Sequence, residues 1–405
     1  MQRLEDVTVN APASVVWVLP DKLGGVAVNV ADVLAHRASR GPAHHVVLTD
    51  NRLSHDVRFD DRMRVDGLHR VQYTLPSENL HAVLRRLARA VPPGPGVLVA
   101  NDWLELAMLS IHDPGRMVIF ILHGDYDYYY DLAVAHEPLI SAFVVLTRFG
   151  HEHLSQLLPH RRETIFHQPF GVPRAARLRS EGLGHLRLLF VGRLDRAKGA
   201  HLLSGIDAQL HRSGIAARWT VVGDGPCAAE ARTGWVEPTS ALWLGARSNL
   251  EVLSLYAHHD VLVLPSRAEG LPRAVLEGMS AGVVPVVSDL PCGIRDIVEP
   301  GRSGFLPRPG DVAEFAEAIA ALASDRRRLE AMSQAAHQAV HERFDVRHHA
   351  AHFEALFARW ASLFRPRPEH VALRYGSRLD QPWLPNALVK TLRAVRGVRQ
   401  PAQAR

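Results

Sequence analysis

The chain has 405 residues, 47% of them hydrophobic and 22% charged, with a formal net charge of +5 at neutral pH. This composition excludes a disordered or fibrous chain and gives enough length for two domains, each with its own core. The positive charge is carried almost wholly by arginine, since Lys22, Lys198 and Lys390 are the only lysines among 47 Lys and Arg residues. Two cysteines, Cys227 and Cys292, are too few and too far apart for a disulfide framework. The opening MQRLEDVTVNAPAS lacks the apolar core of a signal peptide, and no apolar run nears the roughly 20 residues that span a bilayer. A cytoplasmic setting is expected. No P-loop, G-x-S-x-G or nucleic-acid motif stands out, so nucleic acid is not an expected partner.

In chain order, VVWVLP is the first run that reads as a buried strand. PDKLGGVAVNVADVLAH follows at once. Its Gly24 and Gly25 let the backbone approach a ligand, and the next helix aims its N-terminus there. HVVLTD, VLVA, MVIFILHG and AFVVLT continue the strand series before residue 150, with helical patterns between them. After HQPFGVPRAARLRSEGLG, a linker rich in Gly, Pro and Arg, the alternation restarts with RLLFVGRL, RWTVVGDG, ALWLGA, DVLVLPS and VVPVVS. Continuous apolar strands alternating with helices imply parallel sheets covered on both faces. Two such series imply two Rossmann-like α/β domains, with a ligand cleft between them at the carboxyl ends of the strands.

From about Asp311 the pattern is helical, and its last helix, DVRHHAAHFEALFARWASLF, is expected to cross back to the first domain. Beyond Phe364 the tail carries nine Lys and Arg residues against two acids and reads as a solvated, partly ordered extension. Contact with an anionic membrane surface is its second reading. The expected division is 1–170 and 187–344 for the two domains, 171–186 for the linker, 345–364 for the crossing helix and 365–405 for the tail.

Two stretches carry the chemistry. In SRAEGLPRAVLEGMSAG, a strand leads through a Gly/Pro loop into a helix predicted to start at Pro272 and stop at Gly282. Glu269 lies in the loop and Glu277 inside the helix, on the order of 10 Å apart at helical rise. That separation is too wide for a close carboxylate pair and suits a long, hydroxyl-rich ligand gripped at two places. In LLFVGRLDRAKGAHLL, Arg193 ends a strand and Lys198 follows at the start of a helix. A guanidinium and an ammonium converging there could hold a diphosphate and neutralise its charge as a bond to it breaks.

Together, VGRLDRAKG, VVGDGP, WLGA and EGLPRAVLEGMSAG closely resemble the donor-binding half of the retaining glycosyltransferases of family 4, which have the GT-B fold. The resemblance covers residues from about 187 to 310, and EGLPRAVLE fits the family's E-x7-E pattern. It implies that Glu269 contacts hydroxyls of the donor sugar. Gly270 and Leu271 would offer backbone N–H groups, and Glu277 would take the ribose hydroxyls. Arg193 and Lys198 would take the diphosphate of a UDP- or GDP-sugar, with Gly24 and Gly25 facing the diphosphate or the acceptor. His123 in HGDYDYYYDL matches the family's histidine near the donor sugar, where it bonds a hydroxyl or meets the reacting centre. Asp125, Tyr126 and Tyr128 behind it are candidates for the acceptor side, tyrosine faces being suited to stacking on sugars.

The implied activity is transfer of a hexose, with retention, to a saccharide or lipid-linked acceptor in polysaccharide or glycolipid assembly. Asp125-Tyr126-Asp127 also spells the D-x-D of metal-dependent transferases. The charge supplied by Arg193 and Lys198 argues against that role, and no metal or other cofactor is expected. GDGPCA at 223–228 fits a dinucleotide-binding pattern only weakly, because Pro226 interrupts it. A GT-B sugar-nucleotide epimerase and a non-catalytic nucleotide-sugar-binding subunit are the alternative readings.

Overall fold

A computed structural model describes residues 12–22, 24–38, 41–53, 63–180, 184–369, 371, 373 and 375–395. Most of the opening MQRLEDVTVNAPAS and the last ten residues of the basic tail lie outside the described residues. The first series forms seven strands: β1 Ser14–Pro20, β2 Ala43–Asn51, β3 Gly67–Tyr73, β4 Gly96–Ala100, β5 Met117–Leu122, β6 Ala142–Val145 and β7 Ile165–His167. They make one parallel sheet in the order β3-β2-β1-β4-β5-β6-β7. The second series gives β8 Leu186–Val191, β9 Ala217–Val222, β10 Ala241–Gly245, β11 Val261–Leu264 and β12 Val284–Val287. These form a second parallel sheet in the order β10-β9-β8-β11-β12. The expected pair of Rossmann-like sheets is what the chain builds.

The apolar runs became strands because helices cover both faces of each sheet, and Val15 to Leu19, Val97 to Ala100 and Val261 to Val263 are all without exposure. Sequence patterning missed β3 and β7. Both are edge strands, and GLHRVQY in β3 is mostly exposed, so neither needs a continuous apolar run. Strand order reverses between β1 and β4 and again between β8 and β11, which opens a crevice at the strand ends of each sheet. Gly24 and His123 follow β1 and β5; Arg193 and Ser266 follow β8 and β11.

The helix Val346–Ala358 packs against the Gly25–His36 helix of the first domain. Its Phe353 and Phe357 place their rings 6.0 and 5.6 Å from that of Trp17, which is wholly buried in β1. Each such aromatic contributes about 2–3 kcal/mol of apolar burial, enough to hold the end of the chain on the domain where it began.

The tail differs from its sequence reading. Its described part is no solvated extension: residues 377–395 dock on the start of the Leu80–Ala90 helix. Asn79 donates to the carbonyls of Gln381 and Leu384, Leu80 N–H donates to Asp380 at 2.7 Å, and Arg393 pairs with Asp380 at 2.6 Å. Val389 is fully buried. A charge count could not show this, because the partners lie about 300 positions earlier in the chain. No helix among the described residues is long and apolar enough to cross a membrane.

Two measurements test this account. Gly199 has φ +71°, and a Cβ there would meet the Pro265 carbonyl oxygen at 1.9 Å, whereas a Cβ on Gly24 would meet open space. Gly199→Ala is expected to cost about 2–3 kcal/mol in chemical denaturation, and Gly24→Ala under about 0.5. At the tail contact, burial alone would raise the Glu78 carboxyl, but hydrogen bonds from Arg86, Asn386 and Thr74 bring it from 4.5 down to about 2. Folding lowers this pKa, so its stabilisation is complete above the unfolded value near 4.5 and is lost as pH falls toward 2. Stability measured against pH over that window should be flatter for Glu78→Gln than for the parent.

Candidate active site

The strand ends of the two sheets face each other across a cavity of about 480 Å³. From the first domain it is lined by Gly25, Asn29, His123, Tyr126 and Tyr129, and from the second by Arg193, Lys198, Glu269, Gly270, Leu271 and Arg273. The loops that carry these groups touch. A Cβ on Gly270 would lie 2.7 Å from Gly124 Cα and 2.8 Å from the His123 carbonyl oxygen. A Cβ on Gly293 would lie 2.6 Å from Thr147 Cγ2, and Arg148 N–H reaches Asp296 at 2.8 Å. The cleft is closed.

Glu269 is firmly anchored in the cleft. Lys198 Nζ donates to both carboxylate oxygens at 2.7 Å, and Ser266 Oγ donates to one of them at 2.7 Å. The Glu269 side chain is 4% exposed and that of Lys198 31%, so the ammonium keeps one face toward the cavity. Lys198 is fixed from below by its own N–H, which donates to Asp195 at 2.8 Å, and by the left-handed Gly199 next to it. It stands in a turn rather than on the predicted helix start; the regular helix begins at Leu203. Arg193 pairs with Asp195 at 2.5 Å and leaves most of its side chain exposed at the cavity edge. Gly270 and Leu271 offer backbone N–H groups with no acceptor among the described residues.

Across the cleft, the Gly25–His36 helix begins with no side-chain cap and no acid in its first turn. Its first N–H groups are therefore free, and its dipole favours an anion there. His123 stacks on Phe170 with rings 5.8 Å apart and 7° from parallel. Its Nε2 lies 2.8 Å from Asn101 Oδ1, and the Asn101 amide nitrogen is committed to the Val18 carbonyl at 2.8 Å. The oxygen of Asn101 is thus the end that faces the imidazole, so Nε2 donates and Nδ1 is left as a bare acceptor. Nδ1 is buried and has no partner among the described residues. Burial lowers the pKa of His123 from 6.5 to about 3, which keeps the ring neutral at physiological pH. Asn101 is held in turn by Glu105, a fully buried carboxyl that caps the Trp103–Ile111 helix and is pushed well above its usual pKa by burial and by Asp102.

Several expected residues stand elsewhere. Asp125 does not line the cavity: its carboxylate accepts from Thr147 at 2.8 and 2.9 Å and from Tyr130 at 3.1 Å. Burial raises its pKa despite those hydroxyls. Tyr128 gives its hydroxyl to Asp102, and Tyr126 alone of the three acceptor candidates lines the cavity. Glu277 is 4% exposed and lines a neighbouring apolar cavity of about 370 Å³ rather than the cleft itself. Its oxygens accept from Arg273 at 2.6 Å, Asn249 at 2.9 Å and Tyr256 at 3.3 Å. Pro272 is the residue before the Arg273–Ser280 helix, and Gly282 lies just past its end at φ +79°.

Asn101, Ser266, Asn249 and Arg273 escaped the sequence reading. Only Arg273 had a local signal, because it stands four residues before Glu277, the spacing at which helical side chains meet.

Residues 185–325, which contain all five strands of the second sheet, match the family model described as glycosyl transferases group 1. Sulfoquinovosyl transferase SQD2 of Arabidopsis thaliana is 34% identical over 166 residues, covering 40% of this chain and 31% of that protein. A GDP-mannose-dependent alpha-mannosyltransferase of Mycobacterium tuberculosis is 36% identical over 140 residues, covering 34% and 35%. The matched stretch thus spans about a third of the length of these curated relatives. Among solved structures, HepE of Anabaena in complex with UDP and glucose superposes with TM-score 0.68 at 17% identity, over 85% of this chain and 99% of that one. Sucrose-phosphate synthase of Thermosynechococcus elongatus gives 0.68 at 17%, over 85% and 98%. The architecture is the GT-B glycosyltransferase fold, with a group 1 segment as its second sheet domain.

Proposed function

We propose that the protein is a cytoplasmic glycosyltransferase that moves a hexose from a UDP- or GDP-linked sugar to a saccharide or lipid-linked acceptor, with retention and without a required metal. The observation that carries this reading is the meeting, in one closed cleft, of the Lys198–Glu269 pair with the uncapped start of the Gly25–His36 helix and the neutral His123. A cation beside free N–H groups receives a diphosphate, and a held carboxylate beside a neutral imidazole ring receives hydroxyls. The SQD2 and mannosyltransferase likenesses support sugar transfer, the second of them from a GDP-linked donor.

In this reading Arg193, Lys198 and the helix N-terminus hold the diphosphate and stabilise the charge that grows on it as the bond to the anomeric carbon breaks. Glu269 accepts hydrogen bonds from sugar hydroxyls beside the neutral ring of His123, and the N–H groups of Gly270 and Leu271 sit at the junction of sugar and phosphate. The acceptor hydroxyl attacks the same face that the diphosphate leaves, so the configuration is kept. Its proton passes to the departing phosphate oxygen as the new bond forms. No covalent sugar–enzyme bond is needed. The touching loops at Gly270 and Gly124 exclude water and limit hydrolysis of the donor.

Calorimetry with UDP- and GDP-sugars tests the donor site directly. Wild type should bind one donor class, with or without EDTA, and Lys198→Ala should lose the binding; a wild type that binds no sugar nucleotide would overturn the proposal. In turnover, Lys198→Ala is expected to lose about 10²- to 10³-fold in kcat. The pH profile of kcat/KM should show no limb from His123 near 6.5, because its depressed pKa keeps it neutral until well into acid. Proton NMR of the imidazole checks the same point independently.

A further inference from the structure

Arg273 joins the two domains through a single side chain. Its Nε donates to Glu277 at 2.6 Å within its own helix, its Nη1 donates to Asn29 at 2.7 Å, and its Nη2 pairs with Asp32. Asn29 and Asp32 lie on the Gly25–His36 helix of the opposite domain. The Arg273 side chain is only 10% exposed, and the residue lines the cleft cavity that Glu277 itself does not reach. It therefore stands between the cleft and the one carboxylate assigned to the donor's ribose.

The cluster has one cation and two carboxylates, so it bears a net negative charge. It is a poor place for a diphosphate and a good one for hydroxyl groups. Within it, Asp32 and Glu277 compete for the same guanidinium fork. While Asp32 holds Nη2, Glu277 receives only the bond from Nε. Asn249 shares that same Glu277 oxygen, Oε1, at 2.9 Å, and Oε2 keeps only a 3.3 Å contact with Tyr256. Without Asp32, the fork is free to turn wholly onto Glu277. An arginine and a glutamate four positions apart on a helix can then close a bidentate pair that occupies both oxygens.

We propose that Arg273 is a positioning residue for the donor's ribose, and that Asp32, by drawing it across the closed cleft, keeps Glu277 available to the ribose hydroxyls. The grip on the ribose is thereby conditional on domain closure. This inference rests on the donor site proposed above and adds to it a pair of residues, Arg273 and Asp32, that never touch the phosphates.

The test crosses protein variants with ligand variants. Calorimetric affinities of UDP and GDP are compared with those of their 2′,3′-dideoxy counterparts for wild type, Asp32→Ala and Arg273→Lys. Asp32 is partly exposed on a helix, where alanine is well accepted, and Arg273→Lys keeps the charge while removing the fork. Wild type should prefer the ribose form by about tenfold or more. Asp32→Ala should bring that preference close to one because the freed fork then covers both Glu277 oxygens, and Arg273→Lys should do so because Glu277 then loses the Nε bond that orients it. In both, the dideoxy affinity should stay within about twofold of wild type. A preference that survives unchanged in both variants overturns the inference, as does a wild type that binds nucleoside diphosphates with no preference for the ribose. A wild type that binds neither form removes the donor site itself, which is a different failure. A structural role alone would lower both affinities together and keep their ratio, and that result also counts against the proposal.

Discussion

The site depends on one close approach. The Glu269–Leu271 loop of the second domain lies against the His123–Gly124 turn of the first so tightly that a single methyl group on Gly270 would collide with backbone. That contact sets the width of the cleft. It brings the end of β11 to the end of β5, and so puts a carboxylate and an imidazole from different sheets on one cavity. A wider gap would leave Lys198 and Glu269 as an exposed surface pair of little energetic value. A narrower one would leave no room for a ligand.

Around this contact the polar groups divide by charge. Arg193, Lys198 and the free start of the Gly25–His36 helix make one end of the cavity suited to anions. Arg273 and Asn29, backed by Asp32 and Glu277 outside the cavity, make another part of its wall suited to hydroxyls. Each polar group is held by others that fix its direction: Ser266 and Lys198 hold Glu269, and Asn101 holds His123. A buried charge with its partners in place costs little to keep oriented, whereas one left with a partner missing is strongly destabilising. The ordering of the cleft follows from that asymmetry.

The ends of the chain serve the same geometry. The Val346–Ala358 helix returns from the second domain to bury Phe353 and Phe357 beneath β1, and the tail then clasps the start of the Leu80–Ala90 helix through Asp380 and Arg393. These long-range contacts hold the end of the chain on the first domain, the domain where it began.

The sequence by itself determined the two parallel sheets, because strands buried on both faces must be continuously apolar and the intervening helices must restart the pattern. It also pointed to Glu269, Lys198 and Arg193 beyond readable strand ends, and the family resemblance added Gly270, Leu271 and His123; all six line the cleft. The edge strands β3 and β7 were not, since an edge does not need apolar residues on both faces. Only the tertiary structure decided what Glu277, Asp125 and Tyr128 do, for each is claimed by polar neighbours from other elements: Asn249, Thr147 and Asp102. Only it placed Arg273 against Asp32, 241 positions away, and folded the basic tail onto Asn79. Periodicity records which face of an element is buried; it does not record which polar group waits on the other side.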